Sequence, residues 1–196
     1  TIPVGIVFKG DICVTISFHK TEMFTDFVVY TQRKGKNIKD YFDLVLKLLL
    51  SSSVWYLKYL KQVNQKIKLA EDNLEESIKN EELQALLQIE KCLVFFMTSL
   101  KGNDILLHRI KNLKSQRDSY DPELLEDVEI ELRQAQETTN IYSDILTGMM
   151  DAYASVISNN LNAIMKQMTS ISIILMIPTV IASLYGMNVP NNLEGN

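Results

Sequence analysis

The sequence predicts a mainly α membrane protein: a short β-containing start, a long helical hairpin, and a very long stalk helix continuing into a transmembrane span. Three observations carry this prediction. Residues 169–187 are 19 consecutive positions without a charge, close to the ~20 that cross a bilayer core about 30 Å thick. No proline stands between Pro3 and Pro122, so the strongest helix breaker is missing from a long stretch. Two Val- and Ile-rich runs near the start, 3–8 and 13–18, flank the turn-like Lys9-Gly10-Asp11, which reads as a β-hairpin.

Such a hairpin is marginal in water by itself, so partner strands are expected upstream. From about Ile38 onward the chain reads as helix. Leu44, Leu48, Val54, Leu57, Leu60, Ile67 and Leu74 recur at mixed three- and four-residue steps, the amphipathic pattern. At ~1.5 Å per residue, a helix of roughly 40 residues would reach about 60 Å. Asn80-Glu81-Glu82 looks like an N-cap followed by acids in the first turn. A second helix then carries Leu83, Leu86, Leu87, Leu93, Phe96, Leu100, Ile105 and Leu113, and the two should pack antiparallel. The third helix has the clearest start: Asp121 to cap, Pro122 for the first helical position, and Glu123 against the dipole. Only Gly148 weakens it before Pro178, so one helix on the order of 100 Å is expected from Pro122 to Met187.

Charge and cysteine usage narrow the setting. After Arg133 the sole basic residue is Lys166, at the foot of the span. The N-terminal side should therefore lie in the cytoplasm by the positive-inside rule, with the loop after the span outside. A net charge of −4 argues against nucleic-acid binding. Cys13 and Cys92 are far apart, without metal-type spacing, and read as free thiols in a reducing compartment. The first residue is threonine and no signal peptide precedes it, so truncation at both ends is expected.

One face of the last helix carries a stripe. With Asp151 at zero and about 100° per residue, Ser155, Ser158, Asn162, Met165, Thr169, Ser172, Met176, Thr179 and Ser183 fall within roughly 120°. Polar side chains on one side of a span belong against protein or a water-filled cavity. Helix–helix packing would explain them, because Ser and Thr are common there and can bond back to their own helix. A pore would explain them as well. Methionine rings make dewettable constrictions, and hydroxyl and amide rings carry water or hydrated ions. Upstream, Glu137, Asp144 and Asp151 follow at seven-residue steps, drifting only ~20° per step. In a symmetric oligomer they would stack as acidic rings that concentrate cations; otherwise they are a solvated acidic face.

The segment 157–166, the apolar run 171–184 and the closing Tyr185-Gly186-Met187-Asn188 together resemble the CorA family of divalent-cation channels, bacterial type. The helical stretch 80–101 is similar to the hairpin region of bacterial members. The resemblance implies a homopentamer in the cell (cytoplasmic) membrane, with a cytoplasmic N-terminal α/β domain, a stalk helix lining the pore, and a second outer span. On that scheme residues 1–37 are a remnant of the α/β domain, a hairpin and one helix. Residues 38–118 are the helical hairpin, 119–168 the stalk, 169–187 the first span and 188–196 the start of the outer loop, with the second span absent. Gly186, Met187 and Asn188 would form the selectivity motif, Asn188 ringing the outer entrance. Asp151, Asn162, Met165, Met168, Thr169, Ser172, Met176 and Thr179 would line the pore. Asp127 matches the position where family members bind regulatory Mg²⁺ between subunits.

The implied function is transport of Mg²⁺, with Co²⁺ and Ni²⁺ as further candidates, gated by intracellular Mg²⁺. The implied partners are further copies of the chain, divalent cations and the lipid bilayer. A Zn²⁺ or Co²⁺ transporter of the same fold is the nearest alternative, although His19, His108, Cys13 and Cys92, the zinc-type ligands, lie off the stripe. A membrane-anchored coiled-coil scaffold without transport is another. The sequence carries no phosphate loop and no nucleophile beside a base, so an enzyme is not expected.

Overall fold

The computed structural model describes residues 2–10, 12–33, 38–76, 80–114 and 121–186. In chain order they form β1 (Val4–Lys9), β2 (Ile12–Ser17), α1 (Glu22–Arg33), α2 (Tyr41–Glu76), α3 (Asn80–Lys114) and α4 (Pro122–Gly186). The chain divides into two compact units, Thr1–Met150 and Asp151–Asn196.

The first unit opens with an antiparallel hairpin in which Val4 faces Ser17 and Lys9 faces Ile12. Gly10 turns the chain at φ +55°, the left-handed region that glycine enters without a Cβ clash. α1 follows, its start capped where Met23 N–H donates to Thr21 Oγ1 at 3.1 Å. Glu22 in its first turn and Arg33 in its last complement the helix dipole. α1 packs against α2.

α2 begins with a cap that the sequence reading did not identify. Asp43 N–H donates to Asp40 Oδ1 at 2.7 Å, and Leu44 N–H reaches the Asp40 carbonyl at 3.1 Å. The Asp43 carboxylate in turn accepts from Lys39 N–H at 2.9 Å and Lys47 Nζ at 2.7 Å. Asp43 is 6% exposed. Burial pushes its carboxyl up, but the Lys47 and Lys39 hydrogen bonds and charges outweigh this and hold it below the usual carboxylate range. α4 starts as the sequence predicts: Leu124 N–H donates to Asp121 Oδ1 at 3.4 Å, and Leu125 N–H to the Asp121 carbonyl at 3.2 Å. Lys39 Nζ stands 3.9 Å from Asp121 Oδ2, so the two helix starts are neighbours.

The core of this unit is a heptad seam on three helices. On α2 the buried seam positions are Leu46, Leu49, Ser53, Leu60, Val63, Ile67 and Ala70, with Asp43, Leu48 and Trp55 buried beside it; on α3 they are Leu86, Ile89, Leu93, Leu100, Leu107 and Ile110. On the first part of α4 they are Val128, Leu132, Ala135, Thr139 and Leu146. Steps of three, four and seven are the spacing that keeps one stripe facing its partners in left-handed packing. Leu46, Leu49, Leu100, Leu107, Ile110, Val128, Leu132 and Ala135 form one continuous cluster. Buried Ser53 and Thr139 donate to the Leu49 and Ala135 carbonyls at 3.0 and 2.6 Å, so neither hydroxyl is stranded in the core.

This seam corrects the apolar positions chosen from sequence. Leu48, Leu60 and Ile67 are buried on α2, as are Leu86, Leu93 and Leu100 on α3, but Val54, Leu87, Ile105 and Leu113 are 48%, 41%, 49% and 65% exposed. The chosen set mixed two faces, because these helices hold more apolar residues than one stripe can bury. α3 is also long and apolar enough to cross a membrane by length and composition. In this fold its seventh-residue leucines, Leu86, Leu93, Leu100 and Leu107, are buried instead. The side chains of Leu74 and of the Asn80–Glu82 cap lie outside the described residues.

Candidate functional site

The described part of the second unit is α4 from Asp151 to Gly186. Apart from half-buried Tyr153 and Ile157 its side chains are exposed, including Ile171, Ile174, Leu175, Ile177, Ile181 and Leu184 at 51–66% exposure. A helix that is largely apolar from Thr169 onward and covered by nothing among the described residues has the surface of a membrane segment. By length and composition it can span a bilayer. Lys166 marks its approach, and Pro178 sits inside it, removing the N–H that would have bonded the Ile174 carbonyl.

The stripe predicted from sequence lies on this helix without interruption from Asp151 to Ser183. Four of its hydroxyls bond back to their own helix. Ser155 Oγ donates to the Asp151 carbonyl at 3.0 Å, Thr169 Oγ1 to Met165 at 2.8 Å, and Ser172 Oγ to Met168 at 2.8 Å. Thr179 Oγ1 lies 2.8 Å from both the Leu175 and the Met176 carbonyl. Such back-bonding keeps a hydroxyl satisfied in a medium that offers no water. Met165 and Met176 present 66% and 65% of their surface between these hydroxyls.

Two details qualify the stripe. At about 100° per residue, Ala154, Leu161, Ile173 and Val180 fall within the same sector, so it is mixed rather than wholly polar. Met168, 66% exposed, sits about 20° beyond Thr179, just past the sector's edge. Gly186 is the last described residue of α4, and Met187 and Asn188 lie outside the described residues.

Asp127 is on the first unit's portion of α4, one residue before buried Val128, and is itself exposed. Glu137 and Asp144 are exposed on the same helix. Among the described residues no group of three or more His, Cys, Asp or Glu side chains could hold a metal ion. Asp127 alone offers one carboxylate, so a divalent ion there needs oxygen ligands from elsewhere.

The other singled-out residues have ordinary surroundings. Trp55 is buried with its ring 5.5 Å from Tyr59, and Tyr56 meets Phe96 edge-on at 5.1 Å. Burial pushes the Tyr56 hydroxyl up, with a hydrogen bond to Ser99 acting the other way. His108 stands 3.8 Å from Asp104 on exposed helix surface. Cys13 and Cys92 are both free, and burial pushes the Cys92 thiol up. The sequence reading missed Gln136, whose Nε2–H crosses from α4 to the Leu100 carbonyl of α3 at 3.3 Å. An isolated glutamine carries no pattern that could have revealed it.

Residues 1–195 match the family model of the CorA-like Mg²⁺ transporter protein. The chain is 26% identical over 204 residues to the cobalt/magnesium transport protein CorA of Methanocaldococcus jannaschii, covering 100% of this chain and 64% of that one. It is 28% identical over 134 residues to the protein of the same name from Thermotoga maritima, covering 68% of this chain and 38% of that one. The solved structure of the CorA magnesium transporter from M. jannaschii aligns with a TM-score of 0.73 at 24% identity, over 98% of this chain and 66% of that chain. That likeness shows the fold. The chain therefore spans less than two thirds of the length of each of these relatives.

Proposed function

The chain belongs to the CorA-like Mg²⁺ transporter family, and we propose that the protein carrying it conducts Mg²⁺, with Co²⁺ and Ni²⁺ as further substrates, through a homopentameric membrane pore. The N-terminal unit lies in the cytoplasm. The observation that carries this reading is a span-length helix exposed on all sides, with hydroxyl and thioether side chains gathered in one sector from Asp151 to Thr179. Five such sectors turned inward would line a pore, and the apolar remainder would face lipid and neighbouring copies.

Each residue then has a role set by its chemistry. Mg²⁺ gives up its waters reluctantly and prefers oxygen ligands. Asn188, after Gly186 and Met187, would ring the outer entrance with amide oxygens that accept hydrogen bonds from those waters without stripping the ion. Thr169, Ser172, Thr179 and Asn162 would continue this hydrogen-bonding surface inward. Met165, Met168 and Met176 would narrow it into segments that dewet when the pore closes. Asp151 would ring the inner end and concentrate cations there. Asp127 would hold regulatory Mg²⁺ together with a carboxylate of a neighbouring subunit. When cytosolic Mg²⁺ falls, unpaired acids would repel and loosen the stalks.

The test is Mg²⁺ flux into liposomes carrying the complete protein, wild type beside Asn188→Ala, with Co²⁺, Ni²⁺ and Zn²⁺ as competitors. Flux that is lost or made unselective in the variant supports the reading. No flux of any ion, in protein shown to be folded and inserted, would leave α4 as the anchor of a scaffold.

A further inference from the structure

We propose that the back-bonded hydroxyls of Thr169, Ser172 and Thr179 make the pore wall acceptor-only between Thr169 and Thr179, so that this stretch favours hydrated cations over hydrated anions by hydrogen-bond direction. This rests on the pore reading above and adds a source of charge-sign selection that needs no charged side chain.

A carbonyl oxygen cannot donate, so in each back-bond the hydroxyl must supply the proton. Inside the span Thr169, Ser172 and Thr179 commit their single proton to the Met165, Met168 and Leu175/Met176 carbonyls. At the inner end Ser155 does the same to the Asp151 carbonyl. Only lone pairs are then left to face away from the helix. Thr179 Oγ1 has two carbonyl oxygens at 2.8 Å, so rotating its proton outward forfeits both.

The two kinds of hydrated ion present opposite surfaces. Water around a cation turns its oxygen inward and its hydrogens out, and those hydrogens find acceptors on such a wall. Water around an anion points hydrogen inward and offers oxygen outward, and it meets a wall without donors. An anion passing Thr169, Ser172 and Thr179 therefore either loses second-shell hydrogen bonds or turns a hydroxyl away from its carbonyl. Either change costs about one hydrogen bond per site. Between Thr169 and Thr179 the remaining sector residues, Ile173 and Met176, offer no competing donor.

The experiment substitutes Thr179 in the complete protein and reads Mg²⁺ influx together with the reversal potential under a MgCl₂ gradient. Thr179→Ser keeps the back-bond and should keep the wild-type cation-to-anion ratio, as should Ser170→Ala off the stripe. Thr179→Asn keeps the pore wet but turns amide N–H groups toward the lumen. Its Cl⁻ permeability relative to Mg²⁺ should rise about fivefold, the factor expected for one hydrogen bond. A wild type that conducts Mg²⁺, with an unchanged ratio in a conducting Thr179→Asn, overturns the inference and leaves the transport reading standing. A folded, inserted wild type that conducts nothing overturns both.

Discussion

Gln136 on α4 and Leu100 on α3 are joined side chain to backbone, the amide Nε2–H reaching the carbonyl at 3.3 Å across the packed seam. Leu100 is fully buried in the core cluster, so the bond fixes the height of α4 against the hairpin at a point where the leucine cannot slide.

Replacing Gln136 by alanine should therefore lower unfolding stability by about 0.5–1.5 kcal/mol, the net worth of one partly buried hydrogen bond. Thermal denaturation in detergent reads this directly. Equal stability of the variant would mean that the seam alone sets the register.

The seam predicts a contrast between two apolar truncations. Leu132→Ala, at a position 1% exposed, should cost about 2–5 kcal/mol. Val54→Ala, at a position 48% exposed, should stay within about 0.5 kcal/mol. Comparable losses at the two sites would contradict the packing described.

Asp43 gives a pH signature. Its folded pKa is depressed, so its contribution is complete above the unfolded value of about 4 and is lost as pH falls through the folded value. Asp43→Asn should cost about 1.5–3 kcal/mol at neutral pH. The gap between wild type and variant should close as the solution is acidified below about pH 4. A gap that stays constant down to the acid limit would rule out the charged cap.

Gly148 occupies a helix interior in which an added Cβ meets nothing within 4 Å. Gly148→Ala should stabilise α4 by about 0.5–1 kcal/mol through the lost backbone freedom. The readout is the melting of helical circular dichroism; a lower midpoint would show that the glycine answers a constraint other than space.

If Asp127 holds regulatory Mg²⁺, Asp127→Asn should weaken closure of the channel by high internal Mg²⁺ while leaving the open-state flux intact. Unchanged gating in that variant would remove Asp127 from the mechanism.

Much of this molecule follows from local rules that act within a few residues. Gly10 supplies the left-handed turn, Asp121 and Pro122 start α4, and an uncharged run of span length needs no tertiary partner to be read. The polar sector is also local, because helical geometry alone places Asp151, Thr169 and Thr179 on one side. What only the tertiary structure decided is which apolar stripe goes inside. α2 and α3 carry more Leu, Ile and Val than one face can bury, so periodicity alone could not separate Leu46 and Leu107 from Val54 and Ile105. Packing made that choice, admitting Ser53, Ala135 and Thr139 to the seam because small side chains let the helices approach. It likewise buried Asp43, whose charge is tolerated there only because Lys39 and Lys47 come to it.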